Sequence, residues 1–348
     1  MGATIEIVRP GLLSTVQDLG RPGRLGMALS QGGALDTSAM RLANALVGNA
    51  PTDAVLEITA VGPTIRFPQA TALAWTGADF GIEVQHRGQT SRHRGSHRPV
   101  VVPADSVVRW TPPARGFRAW LAFAGGIATP EVLGSRSSHL AAGLGPGRLQ
   151  GGETLPLGRA AEERADALLR IVAGPMAATT EKTKDRPVVL CVPRWSIPLQ
   201  LPHDPAALTL ACFPGRHYDL LNAAQKLQLW QSPYGVHPQS SRQGLRLEAT
   251  PIADYRAPNI ASEPVRYGTV QLPPEGIPYI LLAEHQTTGG YTRVLEVCST
   301  MAPILAQAGP GARLRFVPTT LAEAQARRLF AETARDRLEK AIAAKLAL

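Results

Sequence analysis

The stretch Ile277-Pro-Tyr-Ile-Leu-Leu-Ala-Glu-His-Gln-Thr-Thr-Gly-Gly-Tyr-Thr-Arg-Val-Leu-Glu-Val297 places a polar loop between two strand-like apolar segments. A bare hairpin needs only about two to five turn residues. The loop 284–291 carries a carboxylate, an imidazole, an amide, two hydroxyls and a phenol, which is more hydrogen-bonding capacity than a turn requires. The adjacent glycines, Gly289 and Gly290, allow the backbone to come close to another group. We therefore predict two strands here. We favour a small-molecule site over a simple turn whose polar side chains bind no ligand.

The composition predicts a mainly β protein with a substantial core. The 348 residues are 44% hydrophobic and 18% charged, and they are enough for two domains of roughly 100–200 residues each. Scattered Gly and Pro residues divide the chain into many short segments, which favours strands over long helices. No apolar run reaches the ~18 residues of a membrane span, and the N-terminal sequence lacks a signal pattern. With its three cysteines in apolar segments, we expect a cytoplasmic protein that does not bind membranes.

The net charge of +9 is carried mostly by arginine. The first lysine is Lys182, so lysine chemistry is excluded from the first half of the chain. The densest basic segment, 87–98, contains no interleaved aromatic residue, so a solvated hairpin is favoured over nucleic-acid binding. Its histidines have no cysteine or carboxylate nearby to complete a ligand set, so we predict no metal site.

The pattern of segments predicts two β-rich lobes with a few helices. We place an N-terminal lobe at 1–160, a linker at 161–187, a C-terminal lobe at 188–318 and a C-terminal helix at 319–348. A capping-box pattern, Thr320-Leu-Ala-Glu323, predicts the start of that last helix. The other predicted helices are 34–46 and 218–227, and the predicted strands are 4–8, 55–59, 64–67, 70–76, 81–86, 100–102, 106–110, 118–124, 208–213, 244–248, 268–271, 279–283, 294–297 and 313–317.

Besides the loop 284–291, three segments concentrate polar chemistry. Asp36 ends a Gly-rich loop at a helix start, where capping and substrate binding are equally good explanations. The segment 134–153 supplies Arg136, Ser137 and Arg148, a set that suits an anionic group. The segment 240–247 offers Arg242 and Arg246, although the alternation of Leu245, Arg246 and Leu247 could make Arg246 only the outer face of a strand.

Known catalytic signatures are absent from the sequence. There is no Gly-x-Ser-x-Gly elbow, no Walker loop, no dinucleotide-binding fingerprint in a βαβ unit and no cysteine in a basic setting. The remaining chemistry is positioning and charge stabilisation by arginine, amide and hydroxyl groups.

These clusters, in their order along the chain, resemble the biotin-dependent carboxyltransferase family once called allophanate hydrolase subunit 2. The resemblance covers roughly residues 4 to 325. The motifs that carry it are Arg9-Pro-Gly, Thr15-Val-Gln-Asp-Leu-Gly-Arg-Pro-Gly23, Gly33-Ala-Leu-Asp36, Ala43-Asn-Ala-Leu-Val-Gly-Asn49, Glu57 with Gly62-Pro63, Thr76-Gly-Ala-Asp79, Ala124-Gly-Gly-Ile127, Leu133-Gly-Ser-Arg-Ser137, Ser262-Glu263, Val270-Gln-Leu-Pro273 and Gln286-Thr-Thr-Gly-Gly-Tyr291.

The resemblance implies a cyclophilin-like β-barrel architecture and leaves three functions open. The first is ATP-dependent opening of 5-oxoproline to glutamate, a hydrolase reaction carried out with partner subunits A and B. The second is a carboxyltransferase half-site that moves a carboxyl group from carboxybiotin to a urea-like amide. The third is a regulator that binds a kinase-inhibitor sister protein. The chain has no Met-Lys biotin acceptor and no recognisable ATP-binding loop, which implies missing partner chains: ATP would act in the complex, and biotin could come through a partner.

The resemblance also implies roles for individual residues. The arginines would hold a substrate carboxylate or a phosphorylated intermediate, and the loop 284–291 would position the amide. The implied catalytic residues are Gln286, Thr287, Thr288, Glu284 and Arg242; the implied substrate-binding residues are Asp36, Arg136, Ser137, Arg148, Gln271, Gly289, Gly290 and Tyr291. The chain departs from the family pattern at Glu284, where Asp is usual, at Thr292, where Pro is usual, and at Ser241 and Gln243 on either side of Arg242. These departures bear on substrate identity.

Overall fold

The computed structural model describes residues 2–94, 96–159, 161–173, 192–198, 201 and 208–346. The chain forms two compact units that are discontinuous in sequence. The first unit contains Met1–Gly20, Thr37–Leu201 and Arg335–Leu348, and the second contains Arg21–Asp36 and Pro202–Ala334. The predicted lobes, in contrast, are each continuous in sequence, and their boundaries stay a prediction. The predicted linker 161–187 begins with a helix, and its residues 174–187 lie outside the described residues.

Two antiparallel sheets enclose the core of the first unit. The six-stranded sheet has the order β11-β1-β4-β9-β6-β7, and the five-stranded sheet has the order β2-β3-β10-β5-β8. The elements are β1 Thr4–Arg9, β2 Leu13–Gln17, α1 Thr37–Leu46, β3 Val55–Thr59, β4 Thr64–Phe67, β5 Thr71–Gly77, β6 Phe80–His86, β7 Gln89–Arg94, β8 Val100–Val102, β9 Ser106–Pro113, β10 Arg118–Phe123, β11 Thr154–Pro156 and α2 Ala161–Ala173.

The core of the first unit is built by alternation along the strands. In β1, Ile5 and Ile7 are buried while their neighbours are partly exposed, as expected for a strand with one face on a core. Trp75 of β5 and Trp110 of β9 meet edge to face, with ring centroids 6.1 Å apart. Because β5 and β9 belong to different sheets, this aromatic contact joins the two inner faces.

The arginine-rich segment forms the expected hairpin. Strands β6 and β7 pair in antiparallel register from Gly81–Arg94 to His86–Gln89. The turn residues Arg87 and Gly88 both have positive φ, as a two-residue hairpin turn requires. The predicted solvated hairpin is therefore confirmed.

Several residues of the resemblance motifs support the first unit. Asn49 Nδ2 donates to Phe123 O at 2.7 Å, and Asn49 Oδ1 accepts from Gly125 N at 2.9 Å. Glu57 lies in the core and accepts from Trp120 Nε1 at 3.0 Å. These side chains satisfy buried polar groups, so their role in the structure is to hold strands and turns together.

The second unit is a closed barrel with the strand order β12-β19-β16-β17-β14-β13-β20. Strands β12 and β20 are parallel, and the other described pairs in the barrel are antiparallel. A separate two-stranded sheet joins β15 to β18. The elements are β12 Leu208–Pro214, α3 Ala223–Gln231, β13 Tyr234–Val236, β14 Gly244–Glu248, β15 Glu263–Pro264, β16 Thr269–Leu272, β17 Tyr279–Leu281, β18 Thr288–Gly289, β19 Thr292–Val297, α4 Ala302–Gln307 and β20 Arg313–Pro318.

The mainly β, barrel-containing fold predicted from the sequence is confirmed, and two helix boundaries need correction. The helix predicted at 218–227 is a 3-10 turn followed by α3, which begins after Asn222 because Asn222 and Gln225 form a capping box. The helix predicted at 34–46 begins at Thr37. The last helix, α5 Leu321–Leu346, starts at the predicted capping box, in which Thr320 Oγ1 accepts from Glu323 N at 3.2 Å. No helix in the described part of the chain has the length and hydrophobicity needed to cross a bilayer.

Candidate functional site

A cleft of about 690 Å³ lies on the outer face of the barrel in the second unit. Leu245, Val270 and Ile280 point into the barrel and are fully buried. The alternate residues of the same strands therefore point outward. Arg246 pairs with Tyr279 across β14 and β17, and Tyr279 pairs with Gln271 across β17 and β16. An arginine, a tyrosine and a glutamine thus stand in one row across three neighbouring strands, and all three line the cleft.

Two glutamine side chains form one end of the cleft. Gln286 Nε2 donates to Gln271 Oε1 at 3.0 Å. Gln271 is 1% exposed, and its Nε2 has no hydrogen-bond partner among the described residues. A Cβ atom on Gly289 would lie 2.5 Å from Gln271 Nε2, so the glycine backbone leaves room for this amide. A buried amide donor without a partner favours a ligand that accepts a hydrogen bond.

The other end of the cleft is cationic. The Arg246 guanidinium donates to Gln239 Oε1 at 2.7 Å, and no carboxylate among the described residues forms an ion pair with it. Burial raises the pKa of the Tyr279 hydroxyl, and the nearby charge of Arg246 partly opposes this shift. Gly244 makes room for the Tyr279 ring, because a Cβ atom at this position would overlap it. The phenol is therefore neutral and forms a wall beside a positive charge.

The rest of the cleft mixes apolar and acidic groups. Ile277 and Pro278 provide apolar surface, and Glu248 and Glu275 provide carboxylates. His237 Nε2 lies 3.6 Å from Glu248 Oε1, which is longer than a hydrogen bond. Small-molecule sites commonly combine apolar walls with a few convergent polar groups, as this cleft does.

Arg242 and Glu284 lie inside the second unit and do not line this cleft. Arg242 Nε is 2.6 Å from Glu284 Oε1, and their side chains are 2% and 1% exposed. The Arg242 guanidinium also donates to the backbone oxygen of Gly33. This ion pair connects the start of β14, the loop 284–291 and the segment 21–36.

The loop 284–291 is fixed by backbone pairing. Glu263 and Pro264 of β15 pair with Gly289 and Thr288 of β18, and Val265 N donates to Thr287 O at 3.1 Å. The predicted residues Thr287, Thr288, Gly289 and Gly290 are therefore part of a short two-stranded support, while Gln286 and Tyr291 line the cleft.

Two further groups hold this support in place. His285 Nδ1 lies 2.5 Å from Gln286 O, and burial lowers the His285 pKa despite this bond. Glu263 lies 3.1 Å from Arg216 Nε and 3.3 Å from His217 Nε2, which ties β15 to the chain beyond β12. Both groups set the position of the loop that carries Gln286.

The predicted residues Arg136, Ser137 and Arg148 belong to the first unit. Asp18 accepts hydrogen bonds from Arg136 N at 2.7 Å, Gly20 N at 2.8 Å and Ser135 Oγ at 2.6 Å, and from Ser137 Oγ. Here the Ser-Arg-Ser sequence surrounds a buried carboxylate. Arg148 is exposed beside β2, where it forms an isolated bridge with Thr15. Asp36 is 6% exposed and immediately precedes α1.

Sequence reasoning missed the cationic end of the cleft. Tyr279, His237, Glu248 and Glu275 line the cleft but were not predicted from the sequence. Arg246 was named beside Arg242, with an outer strand face as the alternative explanation, and it is exposed in β14. The available signal was Gly244 two residues earlier, since a glycine in a strand marks the close approach of another group. Within the described ranges, no cluster of His, Cys, Asp or Glu has the arrangement of a metal site.

The chain is a mainly β protein with a cleft on the outer face of a closed barrel. The family model described as carboxyltransferase domain, subdomain A and B, matches residues 27–318, so this chain belongs to that family. The resemblance inferred from the sequence motifs is therefore confirmed.

Relatives within this family are enzyme subunits or parts of larger enzymes. The chain is 30% identical over 325 residues to the C subunit of 5-oxoprolinase from Escherichia coli (strain K12), covering 92% of this chain and 93% of that protein. It is 33% identical over 144 residues to urea amidolyase of Saccharomyces cerevisiae, covering 40% of this chain and 8% of that protein. The fold is similar to the solved structure of Kluyveromyces lactis urea carboxylase, with a TM-score of 0.78, 22% identity, and coverage of 97% of this chain and 29% of that one.

Proposed function

We propose that this chain is the C subunit of an ATP-dependent 5-oxoprolinase that opens 5-oxoproline to glutamate. The observation that carries this proposal is the similarity to the Escherichia coli protein of that name, which extends over almost the whole length of both chains. The name of that relative denotes one subunit of an assembly, so we propose that this chain acts with partner subunits A and B. The complex would be a hydrolase in which this chain supplies part of the substrate site.

The chemistry of the cleft supports a cyclic amide as substrate. In the overall reaction, the lactam C–N bond breaks, the carbonyl carbon gains an oxygen from water, the ring nitrogen gains a proton, and ATP is hydrolysed. Hydrogen-bond donors aimed at the carbonyl oxygen stabilise the negative charge that develops there. Gln271 offers such a donor in a nearly water-free position.

We divide the site residues implied by the family resemblance into three groups: substrate contacts, positioning residues and residues that shape the loop 284–291. Gln271, Gln286 and Tyr291 would face the substrate because they line the cleft. Arg242 and Glu284 would be positioning residues, because their buried ion pair holds the loop that carries Gln286. Thr287, Thr288, Gly289 and Gly290 would shape this loop. A role in substrate binding stays a prediction for Asp36, Arg136, Ser137 and Arg148.

ATP would act in the complex, and this sequence has no recognisable ATP-binding loop. We also propose that the complex works in the cytoplasm. Cys212 and Cys298 are buried free thiols, and burial raises the pKa of Cys212, which keeps this thiol protonated and unreactive.

The test is glutamate release from 5-oxoproline by this chain purified together with subunits A and B. We expect release that requires ATP and all three chains, and Gln286→Ala should reduce it strongly. Arg315→Ala is the matched control, because Arg315 is an exposed residue of β20 that does not line the cleft. No glutamate from a folded three-chain complex supplied with ATP would reject the proposal.

Carboxyl transfer is the second candidate function. The 33% identity to urea amidolyase over 144 residues favours it, and the carboxyl group would then arrive on biotin attached to a partner chain. A complex with that function should consume ATP in a urea- and bicarbonate-dependent manner and should release no glutamate from 5-oxoproline. The first activity is assayed with the three-chain complex, and the second with this chain combined with its biotin-bearing partner.

A further inference from the structure

We infer that the outer-face cleft of the second unit binds an amide that also carries a carboxylate. In this arrangement Arg246 holds the carboxylate, and the Gln271 amide nitrogen donates a hydrogen bond to the amide carbonyl. The inference rests on the proposed function in one respect, since 5-oxoproline is a molecule of this class. It adds the specificity-determining residues and the orientation of the ligand.

Arg246 provides an exposed guanidinium at one end. It donates to the neutral Gln239 Oε1 at 2.7 Å and forms no ion pair with a carboxylate of the described residues, although Glu248 and Glu275 also line the cleft. A guanidinium offers several N–H donors in a planar fork that matches a carboxylate. A ligand carboxylate would therefore form a charge-assisted hydrogen bond here.

Gln271 provides a donor with a defined direction at the other end. Its Oε1 already accepts from Gln286 Nε2, so the amide oxygen is occupied and the NH₂ group is the part left for a ligand. The Gly289 backbone passes close to this buried amide, and a Cβ atom at this position would overlap the amide nitrogen. A carbonyl oxygen is the acceptor that would satisfy this buried donor.

The distance between the two ends suits a small ligand. Arg246 and Gln271 lie on strands β14 and β16, separated by β17, so their backbones are roughly 10 Å apart at the usual strand spacing. Arg246, Tyr279 and Gln271 line the same cleft, with Tyr279 on the strand between the other two. The cleft volume of about 690 Å³ lies within the usual range for small-molecule sites.

This arrangement discriminates between ligand classes. A neutral urea or an unsubstituted lactam would engage Gln271 but would leave Arg246 without an anionic partner. An amino acid without an amide carbonyl would engage Arg246 but would leave the Gln271 donor unsatisfied. A carboxylated amide is the class that uses both ends.

The experiment is isothermal titration of the full-length chain with three compounds: 5-oxoproline, 2-pyrrolidinone, which lacks the carboxylate, and proline, which lacks the amide carbonyl. We expect 5-oxoproline to bind at least about tenfold more tightly than either of the others, since a hydrogen bond to a charged group contributes about that much. Absence of saturable 5-oxoproline binding, or equal affinity for 5-oxoproline and 2-pyrrolidinone, would overturn the inference.

Two variants test the contacts of Arg246 with the ligand carboxylate and of Gln271 with the ligand carbonyl. Arg246→Gln should weaken 5-oxoproline binding about tenfold and leave 2-pyrrolidinone binding unchanged. Gln271→Glu keeps an oxygen for Gln286 but removes the donor, and it should weaken both ligands. Arg315→Gln on β20 is the control and should change neither affinity. Thermal melts of all variants establish that they are folded, and unchanged 5-oxoproline affinity in folded Arg246→Gln would refute the assignment.

The outcomes separate this inference from the proposed function. Binding with the expected selectivity, but no glutamate release by the three-chain complex, would keep the ligand site and reject the oxoprolinase activity. ATP-dependent glutamate release that is unaffected by Arg246→Gln and Gln271→Glu would keep the activity and reject the ligand site.

Discussion

The Arg242 guanidinium lies 2.6 Å from the Glu284 carboxylate, and water reaches almost none of either side chain. A second connection runs in parallel, since Glu284 N donates to Arg242 O at 2.9 Å. The two residues are therefore joined through both side chain and backbone at the point where the loop 284–291 leaves the barrel. The position of Gln286, two residues further on, depends on this junction.

Removal of the Arg242 charge should destabilise the protein. Arg242→Ala would remove the guanidinium that pairs with the buried Glu284 carboxylate, and breaking a buried ion pair typically lowers the free energy of unfolding by about 3–5 kcal/mol. Urea denaturation measures this change, and Arg315→Ala on the exposed face of β20 should stay within about 0.5 kcal/mol of the parent. Equal stability of Arg242→Ala and the parent protein would show that the ion pair does not hold the loop.

A methyl group at Gly289 should displace the Gln271 amide. The new Cβ atom would lie 2.5 Å from Gln271 Nε2 and 3.3 Å from Gln286 Nε2, which is too close for both side chains to keep their positions. We expect Gly289→Ala to lower the free energy of unfolding by about 1–3 kcal/mol, as other overpacking substitutions do. Gly26→Ala is the control for chemical denaturation, because no atom lies within 4 Å of its added Cβ. A Gly289→Ala protein as stable as Gly26→Ala would contradict the close packing.

Asp18 should be a stabilising residue of the first unit. Its carboxylate accepts from Gly20 N, Arg136 N and Ser135 Oγ, so an amide in its place would direct N–H groups at donors. We expect Asp18→Asn to lower the free energy of unfolding by about 1–3 kcal/mol. The same substitution at Asp105, an exposed residue with positive φ that asparagine tolerates, should have little effect. Thermal unfolding of the two variants compares them directly, and similar melting temperatures would refute the role of Asp18.

His97 should make stability depend on acid pH. Burial lowers the pKa of His97 to about 4, and the charge of Asp79 opposes this shift only in part. The unfolded chain takes up a proton near the ordinary histidine pKa of about 6.5, so stability is complete above that pH and falls as the pH drops from about 6.5 to about 4. The loss should approach about 3 kcal/mol, since each pKa unit corresponds to about 1.4 kcal/mol.

His97→Asn isolates this contribution. Asparagine tolerates the positive φ of 66° at this position and does not titrate. Urea denaturation at several pH values between about 7.5 and about 4.5 should give a flatter stability profile for His97→Asn than for the parent, since only the parent takes up this proton on unfolding. Parallel profiles would mean that protonation of His97 is not coupled to folding.

The sequence predicted an element well where the residues that determine it are neighbours in the sequence. Strands β3, β4, β8 and β14 have the predicted bounds, because each is a short apolar or alternating segment between turn residues. The start of α5 was also predicted, because a capping box lies within four consecutive residues. Strand β2 was missed because Ser14, Thr15 and Gln17 read as polar loop residues. They are buried, and Gln17 Nε2 finds its partner in Ser138 O, which is 121 positions away.

The site was predicted in part for the same reason. The loop 284–291 stood out because its polar groups are consecutive, and Gln286 and Tyr291 do line the cleft. The family resemblance implied a role for Arg242 rather than Arg246, although both lie within one short motif. The structure gives Arg242 a buried partner, Glu284, and places Arg246 on an outward strand face beside the cleft, a difference that depends on residues distant in sequence.

The discontinuous composition of the two units has a consequence for synthesis on the ribosome. Gly33 accepts from Arg242, which is 209 positions later, and Arg41 is paired with Glu339, which is 298 positions later. At about 5–20 residues per second, the segment that contains Gly33 waits roughly 10 to 40 seconds for its partner. Neither unit can be completed before these later residues have been made, so Gly33 and Arg41 lack these native partners for that time.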